Sequence, residues 1–414
     1  MKVRVTGIVC FIFLGFSTFA QSIYSAQGLG SISNQGNPNN FSMGGLGVGT
    51  PTQWSINTKN PAYLTFNPFS SFQVGLNFEN RGFEGDGITG SNAGGGLNFL
   101  AYAFPIKPGK WTSSFGVLPF STVEYDVFSE EAIEGAPNNA TFLLDQEGEG
   151  GLTNLFWSNG FAINKNLFLG FSTQFIFGSI ERISRVSVFE DRPIGQELVI
   201  NGNDSILIDR VEPVLLNSAI NLDNSESHRG INLQLGFAYR FFLRNSRFIN
   251  AGLTYSPKSM LNVEFDNSDS TSSIGTNEIS LPRSLSFGLS FEKLNEFSIG
   301  VDFENQAWKS SNPNNNFKNR TKLVIGGSWT PDFDNVNNYF KRVRYSMGFN
   351  YQELPYIVNN QGLAEIGINF GASLPVSGYS SFDLGLGIGQ LGKTEGGLVK
   401  ETYFKVVILS LIHI

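Results

Sequence analysis

The sequence predicts an all-β fold: a transmembrane antiparallel β-barrel of about 14 strands with an N-terminal plug, or hatch, inside its lumen. Three observations predict it. Many short segments alternate strictly between apolar and small or polar residues, the connections between them alternate in length, and no internal apolar run reaches the length of a membrane helix. Gly (47) and Phe (39) are both far above ordinary usage while charged residues are only 15%.

Residues 1–20, MKVRVTGIVCFIFLGFSTFA, read as a secretory signal: Lys2 and Arg4, an apolar core from Val5 to Phe16, then small residues before a cut at Gln21. The only cysteine, Cys10, lies inside it, so the mature chain has neither a disulfide nor a metal-thiolate site. Loss of Lys2 and Arg4 takes the formal charge from −7 to −9. With no basic stripe to neutralise phosphates, a nucleic-acid role is disfavoured and no nucleic-acid partner is expected.

Residues 21–70 do not alternate and form the expected plug. Their centre is the stretch from Phe41 to Leu64, FSMGGLGVGTPTQWSINTKNPAYL. Residues 71–414 form the expected barrel. Phe72, Val74, Leu76 and Phe78 alternate with Gln73, Gly75, Asn77 and Glu79, and the same dyad returns at Ile231 to Phe237, Leu285 to Glu292, Phe297 to Glu304, Tyr345 to Gln352, Ile366 to Gly371 and Phe382 to Gly389. A soluble sandwich also alternates, but its polar face carries Lys, Thr and Glu. Here that face is mostly Gly, Ser, Asn and Gln opposite a Phe-rich one, which suits a lipid-facing exterior and a packed lumen.

Strands are expected to start near Ser71, Gly95, Trp111, Gly150, Asn166, Arg229, Arg247, Leu285, Glu296, Asn319, Arg342, Leu363, Ser380 and Val399. Short turns such as Asn164 to Lys165 and Leu294 to Asn295 fall on one side. Longer polar loops fall on the other: Glu79 to Gly94, Ser129 to Glu149, Phe189 to His228, Asp266 to Pro282 and Lys309 to Lys318. The turn Pro331 to Lys341 is long for the short side. Trp111, Tyr239, Trp329 and Tyr345 sit at the short-turn ends on the apolar parity, as an interfacial girdle should. Ser205 to Leu216 has the composition of a fifteenth strand, but an odd count breaks the scheme; it is assigned to the long extracellular loop 189–228 as its own hairpin. VVILSLIHI, from Val406, loses alternation, and residues 408–414 are read as a tail foreign to the native strand.

The catalytic inventory is thin, and no enzyme, cofactor or metal site is expected. His228 and His413 are the only histidines, and a Ser-His hydrolase would need His228 beside a nucleophile. Gly45 to Gly49 (GLGVG) follows no strand, so a dinucleotide reading fails. Pro119 is more informative. It lies in the third strand, about 20 Å above the inner interface by strand rise and tilt, where a residue without an amide cannot serve a closed ladder. A bulge or a break in pairing is expected there. Pro257 lies at similar depth in the seventh strand.

The Gly-rich Met43-Gly44-Gly45, then Asn60-Pro61-Ala62 just before the first strand, about fourteen strands and a proline-bearing third strand together resemble the long-chain fatty-acid transporter family of outer-membrane barrels, the FadL type. The resemblance implies a lumenal hatch containing Met43, Gly44, Gly45, Asn60, Pro61 and Ala62, and a kinked third strand at Gly116 to Phe120, with Gly116, Pro119 and Phe120 at a lateral opening. It implies passive uptake of small hydrophobic compounds, fatty-acid-like or aromatic, across the outer membrane of a Gram-negative bacterium. Expected partners are membrane lipid, a small hydrophobic ligand and the barrel-assembly machinery during biogenesis. The alternative is a barrel that docks proteins at the cell surface as a binding or secretion-accessory protein.

Overall fold

Extended chain with one bulky apolar face and one small polar face is stable only if both faces find their solvent, and here the sheet meets that need by closing on itself. The computed structural model describes residues 22–33, 36–85, 88–133, 140–201, 204–215, 220–266, 279–313, 317–377 and 380–413. Among the described residues, nineteen hydrogen-bonded segments form one sheet. Three wall strands are each split in two, and two segments, Ser31–Ile32 and Asp204–Leu215, do not cross the wall, which leaves fourteen wall strands.

In order these are Ser71–Gly85, Ile88–Lys107, Trp111–Thr122 continued by Tyr125–Ala132, Thr141–Ala162, Leu167–Asn201, Ile220–Phe242 and Arg247–Ser256 continued by Ser259–Asp266. The second half is Ile279–Leu281 continued by Ser284–Lys293, Phe297–Gln306, Arg320–Trp329, Arg344–Val358, Gln361–Ser377, Ser380–Leu391 and Lys400–His413. The fourteenth strand pairs with the first from Lys400↔Glu84 to His413↔Ser71, closing the barrel. Residues 408–413 thus pair along this seam, and Leu409 and Leu411 are buried.

The barrel is inside out relative to a soluble protein. Leu285 (52% exposed) and Phe287 (46%) point outward, while Ser286 (5%) and Ser290 (4%) between and beside them face the lumen. Trp329 and Tyr345 meet at the short-turn end with ring centroids 6.3 Å apart, and Trp111 stacks on Phe161 there at 5.6 Å. Tight turns on this side take left-handed residues, Asn245 with Ser246 and Asn295.

The long loops expected on the other side are largely strand. Glu79 to Gly94 is ladder up to Gly85↔Ile88, and most of Ser129 to Glu149 is a hairpin pairing Tyr125–Ala132 with the fourth strand. The fifth strand runs 35 residues, Leu167–Asn201, and its outer part folds back on Asp204–Leu215 as a hairpin. The sequence hid these extensions for a physical reason: beyond the bilayer both faces meet water, so backbone pairing continues while alternation lapses. The expected signal, and most of the Asp266 to Pro282 loop, lie outside the described residues.

Residues 36–67 are almost wholly buried and pack on the polar parity of the wall. They fit because the wall presents glycine where the plug backbone touches it. A Cβ at Gly170 or Gly236 would collide with the Pro61 or Asn60 backbone and side-chain atoms, at Gly252 with the Val48 carbonyl, at Gly288 with Gly49, and at Gly348 with Met43. Gly170↔Gly236 and Gly252↔Gly288 are direct register partners, so these residues form a belt around the wall. The excess of glycine on the polar parity is the footprint of this contact.

Candidate functional site

The plug starts its lumenal course with a short helix, Pro38–Ser42. Asn37 caps it, its side chain accepting from the Asn40 amide while Asn40 accepts in return from the Asn37 amide. Asn39 donates to Asp383 of the thirteenth strand at 2.8 Å. Gly44 (φ 75°) and Gly45 (φ 96°) then turn the chain through left-handed conformations that side chains resist, with Met43 packed on Leu46 and Val324.

The next three amides converge on one carboxylate. Gly47 and Val48 donate to Asp302 Oδ2 at 2.7 Å each, and Gly49 donates to Oδ1 at 3.0 Å. Successive amides around an anion form a nest, here filled by the ninth strand's own side chain. Asn57 donates to the Gly47 carbonyl at 2.9 Å and Asn60 to the Val48 carbonyl at 3.0 Å, so the loop is held from both sides. Asn60 also donates to the Phe237 carbonyl of the sixth strand at 3.1 Å and caps the helical turn Pro61–Phe66 by accepting the Ala62 amide. Pro61 occupies the first helical position, where no amide is needed.

The wall is interrupted between the second and third strands. Their ladder begins at Lys107↔Trp111 and ends at Leu100↔Val117; above that point the second strand pairs, among the described residues, only with the first. Pro119 therefore lies on a strand edge, which resolves how a barrel accommodates it. On its other side the third strand pairs with the fourth through Pro119↔Thr153, with Phe120 bulged before Ser121↔Leu152. Pro257 differs, because pairing resumes at Ser259↔Leu281.

The N-terminal segment stands in for the missing neighbour. Ser31↔Thr122 and Ile32↔Ser121 pair, Ser33 donates its amide to the Phe120 carbonyl at 2.9 Å, and Ser25 Oγ receives the Glu124 amide at 3.0 Å. Farther back, Ser22 Oγ donates to Glu401 at 2.8 Å, and Tyr24 bridges the amide and carbonyl of Val399. Between them Leu29 is fully buried among Val123, Leu152, Ile176 and Trp308, its flanking carbonyls held by Arg182 and Tyr356.

Behind Pro119 lies a cavity of about 150 Å³. Leu118, Pro119, Phe120, Phe156 and Trp308 give it an apolar side; Asn154, Gln174, Asn232, Gln234 and Gln306 give it a side of neutral amides.

The residues singled out in the sequence are not gathered at one place. Pro119 and Phe120 line the cavity. Gly116 packs beside Ala101 and Leu100 of the second strand, Met43 and Gly44 lie against the tenth and eleventh strands, and Asn60 and Pro61 against the fifth to seventh. From Phe41 to Leu64, only Ile56 and Leu64 join the apolar cluster of Phe99, Ala101 and Phe156, with Leu118 packed on it. Ser31 to Ser33, the actual neighbours of the break, were missed; the available signal was Gly28-Leu29-Gly30, an apolar residue between two glycines of positive φ. His228 meets Glu226 at 3.2 Å through Nε2, and among the described residues no hydrogen bond reaches its Nδ1.

Known structures share this architecture. The toluene transporter TodX of P. putida is 12% identical with a TM-score of 0.57, covering 92% of this chain and 99% of its own. The Ralstonia pickettii toluene transporter TbuX is 13% identical with a TM-score of 0.54 over 92% of this chain and 99% of its own. A Pseudomonas aeruginosa FadL homologue is 12% identical with a TM-score of 0.55 over the same shares. At such identities the likeness shows a FadL-like barrel fold. No curated protein sequence matches. The family profile described as BamG matches residues 2–413, nearly the whole chain, and the chain belongs to the BamG family.

Proposed function

We infer that the chain is an outer-membrane channel for passive uptake of small hydrophobic compounds, which leave the lumen sideways between the second and third strands. The observation that carries this reading is the end of the ladder at Leu100↔Val117 with a cavity directly behind Pro119. A gap there faces the bilayer, so a compound entering it meets hydrocarbon rather than water. Similar barrels whose names describe toluene transporters and a FadL homologue support the same class of cargo. Residues 22–33 cover the gap from inside and would act as its gate, with the body of the plug as a fixed floor.

The test is uptake of a labelled aromatic hydrocarbon by proteoliposomes. Deleting residues 22–33 should raise uptake severalfold and Pro119→Ala should lower it. Equal uptake by all three proteins sinks the lateral route.

A second reading, a surface that docks other proteins, is favoured by the outer sheet built from the third to seventh strands. Its third-strand edge, Tyr125–Ala132, pairs on one side only among the described residues, and Phe128 (57% exposed) and Leu222 (61%) stand outward on the sheet. Co-purification of a partner lost on trimming this sheet, with uptake unchanged, would favour it.

A further inference from the structure

We propose that the cavity behind Pro119 is a binding site for small, neutral compounds that pair a hydroxyl or amine donor with an apolar ring or chain, and that it discriminates against bare hydrocarbon. This deepens the uptake reading and rests on it for the route, though not for the binding.

The grounds are the polar atoms left without partners. Asn154 is 5% exposed, lines the cavity, and its Oδ1 meets no hydrogen-bond donor among the described residues. Gln234 donates through Nε2 to the Lys59 carbonyl at 3.0 Å, which fixes the amide and leaves Oε1 an acceptor without a partner among the described residues. Several surrounding groups are already engaged with one another. Asn232 donates to Gln174 at 2.9 Å, Ser158 to Ser172 at 2.7 Å, Gln306 to Glu304 at 2.6 Å and Trp308 to Gln306 at 2.8 Å. The site thus has a rigid polar frame with two acceptors open, and an apolar side formed by Leu118, Pro119, Phe120 and Phe156.

An acceptor without a donor is costly, because a buried amide carbonyl gives up its water for nothing. Toluene placed here would displace water and leave both acceptors bare. Phenol has nearly the same shape, replaces the methyl group by a donor, and is uncharged at neutral pH, so it satisfies an acceptor while its ring rests on the apolar side. A cavity of about 150 Å³ has room for a single ring. Lys59 does not call for a carboxylate ligand, since it already faces Glu304 at 3.9 Å.

Phenol and toluene form a matched pair for the test. The full mature chain in detergent is titrated with each by saturation-transfer NMR, and uptake of both is measured in proteoliposomes. Phenol should bind at least tenfold more tightly than toluene, and Gln234→Leu and Asn154→Leu should each reduce that preference about tenfold while toluene binding holds or improves. Equal binding of phenol and toluene by the unaltered chain, a comparison that needs no variant, overturns the inference. Selective phenol binding with no uptake of either compound supports the site and overturns the channel. Toluene uptake without phenol preference does the reverse.

Discussion

Asp302, on the ninth wall strand, accepts the amide of Val48 in the plug at 2.7 Å, and the Gly47 and Gly49 amides meet the same carboxylate. Hydrogen bonds to a charged acceptor contribute about 1.5–3 kcal/mol each. Asp302→Asn removes the charge and aims an amide donor at donors, so it should loosen the plug by about 2–4 kcal/mol. Trypsin cleavage at Lys59, buried in the intact plug, reads this directly. Unchanged protection at Lys59 would mean that the nest does not hold the plug.

The glycine belt makes a second prediction. Gly252→Val drives a side chain into the Val48 carbonyl, whereas the Cβ of Gly96→Ala meets nothing within 4 Å. The first should expose Lys59 to trypsin and lower the thermal unfolding midpoint by several degrees, with a destabilisation of about 1–3 kcal/mol; the second should be silent. Matching behaviour of the two variants would remove close approach as the reason for glycine in the belt.

Tyr24 gives a pH dependence. Its phenol is buried and its ionisation is pushed from 10.0 up to about 12, desolvation being the largest cause. Because the bound segment holds the proton more tightly than the free one, this contribution is intact below pH 10 and is lost as pH rises towards 12. A fluorophore on Ile23→Cys should keep constant anisotropy from neutral pH to about 9 and gain mobility in that higher window. Tyr24→Phe loses the bridge to Val399 and should be mobile already at neutral pH.

The two strand prolines should differ in their effect on transport. Pro119→Ala restores an amide at the free edge, next to the segment 22–33 that covers it, and should reduce hydrocarbon uptake two- to fivefold, the rough effect of one added hydrogen bond. Pro257→Ala lies where the ladder resumes and should leave uptake within experimental error. Parallel loss in both variants would point to general destabilisation instead of a lateral path.

The wall was legible because its signal is local. FSIGVDFE reads as a strand from alternation alone, and Asp302 falls correctly on the polar face. Its purpose was not legible, since the three amides that meet it lie more than 250 residues earlier. Asn60 was recognisable as a motif, yet its ties to Val48 and Phe237 depend on the closed barrel. The strand Tyr125–Ala132 lacks sustained alternation because only Tyr125 and Val127 pack on an apolar cluster while its far end is exposed, and Leu29 was overlooked because one apolar residue has no period.

Ser22 and Glu401 are 379 positions apart, and their hydrogen bond straddles the seam where the last strand meets the first. Arg81 of the first strand donates to the same carboxylate at 2.7 Å, so three remote pieces of chain meet at one side chain. The contact needs two things at once: the final strand supplies the carboxylate, and the residues before the first strand supply the hydroxyl. A barrel that closed with its leading segment outside would hold Glu401 against Arg81 alone, its tail loose and the cleft beside Pro119 uncovered. The seam of the wall and the cover of the cleft thus depend on one carboxylate.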